Sequence, residues 1–235
     1  MAYHFNGQLV TDGLVLCLDG ANLKSYSGTG TDWVDRSGLS IPATLQNSGS
    51  GTVSFSNGYS VYSPADMTAT AGHYLINHAT ISALSTQVSL ECWFYISVFY
   101  AKRMIPLSPR TTETGSPIGF SVDSGIFRHE INTTNGWVTG SVSSALATTG
   151  SWICISQTTD DANKLFKTYL NGVQIASVTF AGTPNSGGGL LIGKGFYAGT
   201  VNFNGRIGVV RYYNRTLSAS EILQNFNATK GRYGL

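Results

Sequence analysis

Short segments in which apolar and polar residues alternate recur along the chain, and clusters of Gly, Asn, Asp and Ser separate them. Alternation with a period of two is typical of half-buried β-strands. It is clearest within 88–100, where one face carries Val88, Leu90, Cys92, Phe94 and Ile96. The pattern predicts roughly twelve strands, among them 14–18, 52–56, 59–62, 73–77, 88–100, 118–122, 126–131, 136–142, 152–157, 165–170, 173–180 and 190–193.

The connections between these segments differ in character. Asn171-Gly172 supplies a positive φ at both central positions of a type I′ turn, which predicts that 165–170 and 173–180 pair as an antiparallel hairpin. The stretch 22–51 is rich in Gly and Ser and predicts a loop that Trp33 anchors. Prolines predict a second loop from Pro106 through Pro117.

The last quarter of the chain, 203–226, changes from a strand pattern to a helix pattern. Strand alternation puts Ile207, Val209 and Arg211 on one face and Gly208, Val210 and Tyr212 on the other. Ser218 and Glu221 then match the S-x-x-E capping box, and Leu217 and Ile222 stand where a hydrophobic staple forms. We therefore expect a helix from about Ala219 to Asn227.

Many short strands and a single short C-terminal helix predict an all-β fold, a two-sheet antiparallel sandwich or jelly roll. No shift in composition divides the chain, so residues 13–235 are expected to form a single domain. Residues 1–12 are expected to form an N-terminal arm.

The segment NGRIGVVRYYNRTLSASEI resembles the terminal signature of laminin-G-like domains in the concanavalin A-like lectin/glucanase superfamily. Three further segments fit the same family: GLVLCLDG from Gly13, VSLECWFYI at 88–96, and 151–177. The resemblance implies a concanavalin A-like jelly roll. GLVLCLDGANLKSY and ILQNFNATKGRYG are similar to laminin-G-like proteins of tailed phage particles.

Composition narrows the possible settings. Charged residues are 11% of the chain, against about 25% in ordinary proteins, so the surface is mostly neutral hydroxyls and amides. No basic run indicates nucleic acid, no apolar run is long enough for a membrane span, and no secretory signal precedes the domain. Cys17, Cys92 and Cys154 lie in apolar segments and are expected to be buried and reduced.

Positive charge is concentrated towards the C-terminus. Residues 160–235 carry eight Lys and Arg against three Asp and Glu, whereas residues 1–159 carry six against nine. A basic region favours an acidic partner surface. Lys230 and Arg232 are therefore predicted to dock on another particle protein, although basic residues along strand edges also prevent mispairing.

Because the superfamily contains glucanases, catalysis requires examination. Retaining glycoside hydrolysis uses two carboxylates about 5–5.5 Å apart, which on a strand means acidic residues two or four positions apart. The chain has no such pattern, since Glu91 stands alone and Glu221 belongs to the helix cap. His129 and Glu130 are expected to be surface residues that point to opposite faces of a strand. We therefore expect a protein that is not an enzyme.

Calcium is a second possibility that the resemblance implies, since some related domains carry this ion at the edge of the sandwich. Asp160, Asp161 and Asn163 form an oxygen-rich cluster that is suited to Ca²⁺. Asp and Asn also favour turns for their own backbone hydrogen bonds, and this simpler interpretation remains open beside the metal site.

The resemblance also implies sugar binding, which requires aromatic faces beside amides and carboxylates. Trp137 follows Asn135-Gly136, and Phe196 and Tyr197 lie in the glycine-rich segment KGFYAGT. These three residues are the candidate ligand-binding residues, whereas Trp93 and Trp152 are expected to be core residues.

Together these features predict a virion structural protein, made in a host cytoplasm, that serves as a surface decoration or attachment module of a tailed phage particle. Its expected partners are other virion proteins such as the major capsid protein, surface glycans, and further copies of the chain. The alternative is a carbohydrate-binding adhesin of the tail-fibre or host-recognition type. A third hypothesis for the function is a glucanase.

Overall fold

The alternating segments form antiparallel strands in two stacked sheets, as a computed structural model of the chain shows. The structure describes residues 8–46, 52–63, 73–76, 86–99, 103–108, 118–123, 125–141, 148–185, 190–194 and 203–235. The described residues form sixteen strands, more than the pattern predicted. They are β1 (Leu14–Asp19), β2 (Trp33–Val34), β3 (Pro42–Gln46), β4 (Thr52–Ser56), β5 (Tyr59–Ser63), β6 (His73–Ile76), β7 (Ser89–Ile96), β8 (Arg103–Ser108), β9 (Phe120–Asp123), β10 (Ile126–Thr133), β11 (Gly136–Ser141), β12 (Trp152–Asp160), β13 (Leu165–Leu170), β14 (Val173–Thr179), β15 (Leu190–Ile192) and β16 (Gly205–Tyr213).

Each sheet contains eight of the described strands. Sheet A has the order β14-β13-β12-β7-β16-β5-β4, and β1 also pairs with β16. Sheet B has the order β11-β10-β9-β8-β15-β6-β3-β2. This arrangement confirms the predicted two-sheet antiparallel sandwich.

β16 lies at the centre of sheet A, where it pairs with β7 on one side and with β1 and β5 on the other. A register shift between Ile207 and Val209 breaks its alternation. Ile207 therefore packs between the sheets with Val210 and Tyr212, whereas Val209 contacts the helix side. The predicted grouping of Ile207 with Val209 and Arg211 is wrong because strict alternation cannot anticipate a bulge.

The main core lies between the two sheets and consists of apolar side chains from both. Leu90, Cys92, Phe94 and Ile96 of β7 all face it, as the alternation predicted. Trp33 is 1% exposed and packs in the same core, with its ring edge-on to Phe55 at 5.4 Å. The predicted anchoring role of Trp33 is thus confirmed.

A C-terminal segment covers the outer face of sheet A. It contains helix α1 (Ala219–Thr229) and a 3₁₀ turn at Lys230–Tyr233. The predicted capping box is present at Ser218 and Glu221, and Leu217 and Ile222 share one apolar cluster. Phe226 and Tyr233 pack on Trp93, so Trp93 is buried beneath this segment.

The Asn171-Gly172 turn was predicted correctly, whereas two segments that were predicted to be loops contain strands. Asn171 and Gly172 have φ of 49° and 81°, and β13 pairs with β14 as expected. The predicted loop 22–51 nevertheless contains β2 and β3, and the loop predicted from Pro106 overlaps β8. Proline lacks a backbone donor and is tolerated at bulges, and Pro106 falls within the register shift between Met104 and Leu107.

Residues 8–12 of the predicted N-terminal arm pack against the C-terminal segment. The Val10 N–H donates to Asn225 Oδ1 at 3.0 Å, and the Tyr213 hydroxyl donates to the Val10 carbonyl at 3.1 Å. Gln224 Nε2 donates to the Gln8 carbonyl at 2.7 Å. The domain boundaries themselves stay a prediction.

The three cysteines are free thiols and buried, as predicted. Burial raises the pKa of the Cys92 and Cys154 thiols well above the ordinary value. Thiols that are held neutral in an apolar setting act as small hydrophobic side chains.

Candidate functional site: the open face of the β10–β11 hairpin

The hairpin of β10 and β11 presents Trp137 on the outer face of sheet B. Trp137 pairs with Asn132 across the hairpin, and Thr139 pairs with Glu130. Because Phe127, His129 and Ile131 of β10 face the core, Arg128, Glu130 and Asn132 lie on the opposite, outer face. The Trp137 surface is defined here as Arg128, Glu130, Asn132, Trp137 and Thr139.

Trp137 is unusually open for an indole in this fold. Its side chain is 44% exposed, whereas Trp33 and Trp93 are 1% and 0% exposed. Among the large hydrophobic residues of the described part that are exposed, Trp137 is the one aromatic residue. A broad apolar face that is partly exposed at the surface is a typical binding feature.

The turn that carries Trp137 is held from two directions. The Thr133 hydroxyl donates to the Gly136 carbonyl at 3.0 Å and accepts from the Asn135 N–H at 3.2 Å. Gly136 has φ +99°, a conformation that other residues rarely adopt. The segment 183–185 braces the other side of the turn, since the Thr134 N–H donates to the Thr183 carbonyl at 2.9 Å.

Polar side chains with planar groups follow along β10 on the same face as the indole. Arg128 Nη2 donates to Asp123 Oδ2 at 2.7 Å, and both side chains are about one third exposed. Glu130 is half-buried between Arg128 and Asn132 on the same face. Asn132, directly opposite Trp137, is 5% exposed, so the accessible polar groups are the carboxylates and the guanidinium, which together accept from and donate to hydroxyl groups.

Sequence reasoning found Trp137 but not its polar neighbours. The signal was available, because a two-residue hairpin turn between Thr133 and Gly136 puts Asn132 opposite Trp137 and Glu130 opposite Thr139. Phe196 and Tyr197, the other candidate ligand-binding residues, lie outside the described residues.

His129 and Glu130 do point to opposite faces, but His129 is not a surface residue. It is 2% exposed, stacks on Phe166 at 4.2 Å, and its Nδ1 lies 2.6 Å from the Thr168 hydroxyl. Burial lowers the pKa of His129 from 6.5 to about 4. The imidazole is therefore neutral at ordinary pH and belongs to the core.

Asp160 and Asp161, the candidate calcium ligands, are engaged in turn contacts. Asp160 accepts from the Asn163 backbone at 3.0 Å and from its amide at 2.8 Å, and this hydrogen bonding lowers the pKa of Asp160. Lys164 Nζ donates to Asp161 at 2.5 Å. The described residues contain no group of three or more His, Cys, Asp or Glu side chains that is suited to a metal ion.

The predicted docking residues Lys230 and Arg232 belong to the C-terminal segment. Arg232 Nη1 pairs with Asp19 at 2.6 Å, so its charge is neutralised within the chain. Lys230 Nζ lies over the Phe226 ring at 5.6 Å from its centroid. Docking of these residues on a partner stays a prediction.

Among the described helices, none has the length and apolar character needed to cross a bilayer.

Fold and site together define a lectin-like jelly roll with an open aromatic face. A laminin G family model, described as the concanavalin A-like lectin/glucanases superfamily, matches residues 67–223. This match covers more than half of the chain, and the chain belongs to that superfamily. No curated protein matches its sequence. The resemblance to phage particle proteins stays a prediction.

Solved structures with a similar fold include glycan-binding proteins. Trypanosoma rangeli sialidase in complex with sialic acid matches with a TM-score of 0.68 and 16% identity, over 94% of this chain and 33% of the sialidase chain. The binding domain of botulinum neurotoxin DC in complex with SialylT matches with a TM-score of 0.69 and 14% identity, over 93% and 52%. The chain thus spans about a third and about half of these structures, and the likeness carries the fold alone.

The prediction that the protein is not an enzyme is wrong. Sialidases, which are enzymes, are among the solved structures with a similar fold. The prediction rested on the missing carboxylate pair. Sialidases are an exception to that rule, since their nucleophile is a tyrosine. The absence of an acidic pair in the sequence therefore does not exclude glycoside hydrolysis.

Proposed function

We propose that the protein binds carbohydrate through the Trp137 surface. The observation that carries the proposal is the exposed indole at the end of a braced hairpin, with planar polar side chains on the same face. The apolar face of a sugar ring packs on an indole, while its hydroxyl groups need donors and acceptors at the rim. Arg128 supplies donors and Glu130 supplies acceptors, since both are partly exposed on this face.

The comparisons support the ligand class to test first. Solved structures of similar fold are described with sialic acid, with SialylT, and with two ganglioside molecules. Sialylated glycans therefore belong on the test panel beside neutral galactose-, glucose- and N-acetylglucosamine-terminated oligosaccharides.

A glycan array with the full chain, followed by calorimetry on the strongest ligand, tests the proposal. We expect Trp137→Ala to weaken binding by about tenfold or more, because one stacking face contributes on the order of 1–3 kcal/mol. Trp137→Phe is expected to retain part of the affinity. Leu223→Ala is the matched control, since Leu223 is 43% exposed and lies on α1, against the other sheet. An array without binding, or equal affinity of the Trp137→Ala variant, contradicts the proposal.

We further propose the setting that the sequence indicated: a decoration or attachment module on a tailed phage particle, with the major capsid protein as a partner. The resemblance of the N-terminal and C-terminal segments to laminin-G-like phage particle proteins supports it. Mass spectrometry of purified particles tests it directly. Particles that lack the chain would count against this setting and leave the glycan proposal standing.

A further inference from the structure

The outer face of sheet A carries a second group of aromatic residues, far from the hairpin. Strand register aligns Arg206 with Tyr95 and Tyr95 with Trp152, so these side chains form a line across β16, β7 and β12. Val61 of β5 also pairs with Arg206, and Tyr59, two positions before Val61, lies on the same face. We call Tyr59, Tyr95, Trp152 and Arg206 the Arg206 row. All four are half-buried, so Trp152 is partly exposed on the outer face rather than part of the core, contrary to the expectation from the sequence.

The guanidinium of Arg206 lies against aromatic rings. Its Cζ is 4.5 Å from the centroid of Tyr95 and 5.1 Å from that of Tyr59. Arg128, Arg211, Arg215 and Arg232 each pair with a carboxylate, but within the described residues no carboxylate pairs with Arg206. Two rings therefore hold a cation in place without neutralising it, and the fork of N–H donors suits a carboxylate.

The rings beside Arg206 form a platform of limited size. Trp152 lies 5.9 Å from Tyr95 and 5.3 Å from Tyr59, measured between ring centroids. Tyr233 packs on Trp152 at 4.3 Å and closes the side next to α1. Tyr59, Tyr95 and Trp152 therefore form one cluster of rings beside the cation.

Small polar residues border the strand ends of the row. Ser97, Gly150 and Ser151 are exposed, and a Cβ at Gly150 would find the Tyr95 hydroxyl at 3.9 Å as its neighbour. The Gly150 N–H donates to the Ile96 carbonyl at 3.1 Å, which keeps this rim against β7. Hydroxyl groups at the rim can donate to and accept from the hydroxyl groups of a sugar.

We propose that the Arg206 row binds a carboxylated sugar at the end of a glycan, such as a sialic or uronic acid residue. The sugar carboxylate accepts from the Arg206 guanidinium, and the sugar ring packs on Trp152. A neutral sugar leaves the guanidinium unpaired, so the charge selects for acidic glycans. The site lies on the opposite face of the sandwich from the Trp137 surface and does not depend on it.

Calorimetry and NMR titration of the full chain test this site with four probes: methyl α-sialoside, methyl glucuronide, methyl galactoside and inorganic phosphate. We expect one or both acidic sugars to bind with shifts of the Trp152 indole signal, and weaker binding as salt rises. The sialoside and glucuronide titrations identify which acid is preferred. Methyl galactoside should leave the Trp152 signal unchanged.

Arg206→Gln should reduce the affinity for the acidic sugar by about tenfold, and Arg206→Lys, which keeps the charge but loses the fork, should lie in between. Lys24→Gln, which removes the same charge at an exposed loop position, should bind as the parent does. Circular dichroism confirms that the variants are folded.

Equal affinity of Arg206→Gln, no shift at Trp152 with either acid, or tighter binding of phosphate than of both acids overturns the proposal. The Trp137→Ala variant should still bind the acidic monosaccharide at this site. If Trp137→Ala loses binding on the glycan array but still binds the acidic monosaccharide at the Arg206 row, the two sites are separate.

Discussion

Gly208 determines how closely the C-terminal segment approaches sheet A. A Cβ at this position would lie 2.0 Å from the Tyr233 hydroxyl oxygen. Tyr233 is stacked on Trp93 at 4.5 Å and packs at a tilt against Trp152 at 4.3 Å, so it has little room to move. We expect Gly208→Ala to lower the free energy of unfolding by about 1–3 kcal/mol in urea titrations, since overpacking in a filled site forces displacement.

The Tyr233→Ala background supplies the control for this prediction. Once the ring is absent, the added methyl group at position 208 no longer meets it. The effect of Gly208→Ala should then be much smaller, which a double-mutant cycle measures. An unchanged effect in that background would show that the strain comes from the strand itself.

His129 gives the protein a specific sensitivity to acid. Its pKa is about 4 in the folded chain against 6.5 ordinarily, because burial disfavours the charged imidazolium. Between these values the unfolded chain binds the proton more readily, so stability falls as pH drops from about 6.5 towards 4. The loss amounts to about 3 kcal/mol for this group. Above pH 6.5 its contribution is constant.

Urea titrations from pH 7.5 to pH 4 check this expectation with a His129→Gln variant. Carboxylates titrate in part of this range in both proteins, so the difference between the two pH profiles isolates the imidazole. The variant should lose less stability on acidification. Parallel profiles would contradict a buried neutral His129.

The helix α1 depends on its first turn. Ser218 accepts from the Glu221 N–H, and Glu221 accepts from the Ser218 N–H at 2.8 Å. Hydrogen bonding to Arg215 lowers the pKa of Glu221 to about 2, so the carboxylate stays charged at ordinary pH. Ser218→Ala should destabilise the protein by about 1 kcal/mol, measured by thermal or urea unfolding. Asn227→Ala, exposed on the same helix, should cost little.

Elements with local causes were predictable from the sequence, whereas those with distant causes were not. The Asn171-Gly172 turn and the Ser218 cap depend on residues a few positions apart, and both were found. β3 pairs with β6 and β8 pairs with β15, strands that lie far along the chain, so the strand character of these two segments depends on distant partners. The bulge in β16 likewise arises from its partners.

At the scale of the whole molecule, exposure of a side chain depends on which element covers it. Trp93 lies on β7, inside sheet A, and Trp137 lies on β11, at the edge of sheet B. Both residues occupy positions on the outer face of their sheet. Phe226 and Tyr233 cover the first, and the described residues place no element over the second to the same extent, since it is 44% exposed. The local sequences distinguish them by the turn before Trp137 and the apolar segment around Trp93, but the element that covers Trp93 is known only from the fold.

A buried ion pair joins the sandwich to its C-terminal segment. Glu91 of β7 pairs with Arg211 of β16, and Arg211 Nη2 also donates to Thr229 Oγ1 of α1 at 3.1 Å. Arg211→Met would leave the Glu91 charge buried and uncompensated, and should cost about 3–5 kcal/mol in unfolding free energy. Chemical denaturation measures this loss.

Two further variants test whether the stability loss of Arg211→Met comes from the unpaired Glu91 charge. The double variant Glu91→Leu with Arg211→Met should recover much of the stability, because no unpaired charge remains. Arg215→Met breaks a pair with Glu221 whose side chains are 27% and 28% exposed, and should cost at most about 1 kcal/mol. If the double variant is as unstable as Arg211→Met, the loss is one of packing.

The central position of β16 has a consequence for biosynthesis. Every other strand of sheet A precedes it along the chain, yet β1, β5 and β7 all depend on it as a neighbour. While the ribosome is still making residues 205–213, β7, β5 and β1 each lack the strand that pairs with one of their edges. Nascent chains in this condition are prone to aggregate. Slower translation at low temperature and the help of chaperones should therefore raise the yield of correctly folded protein.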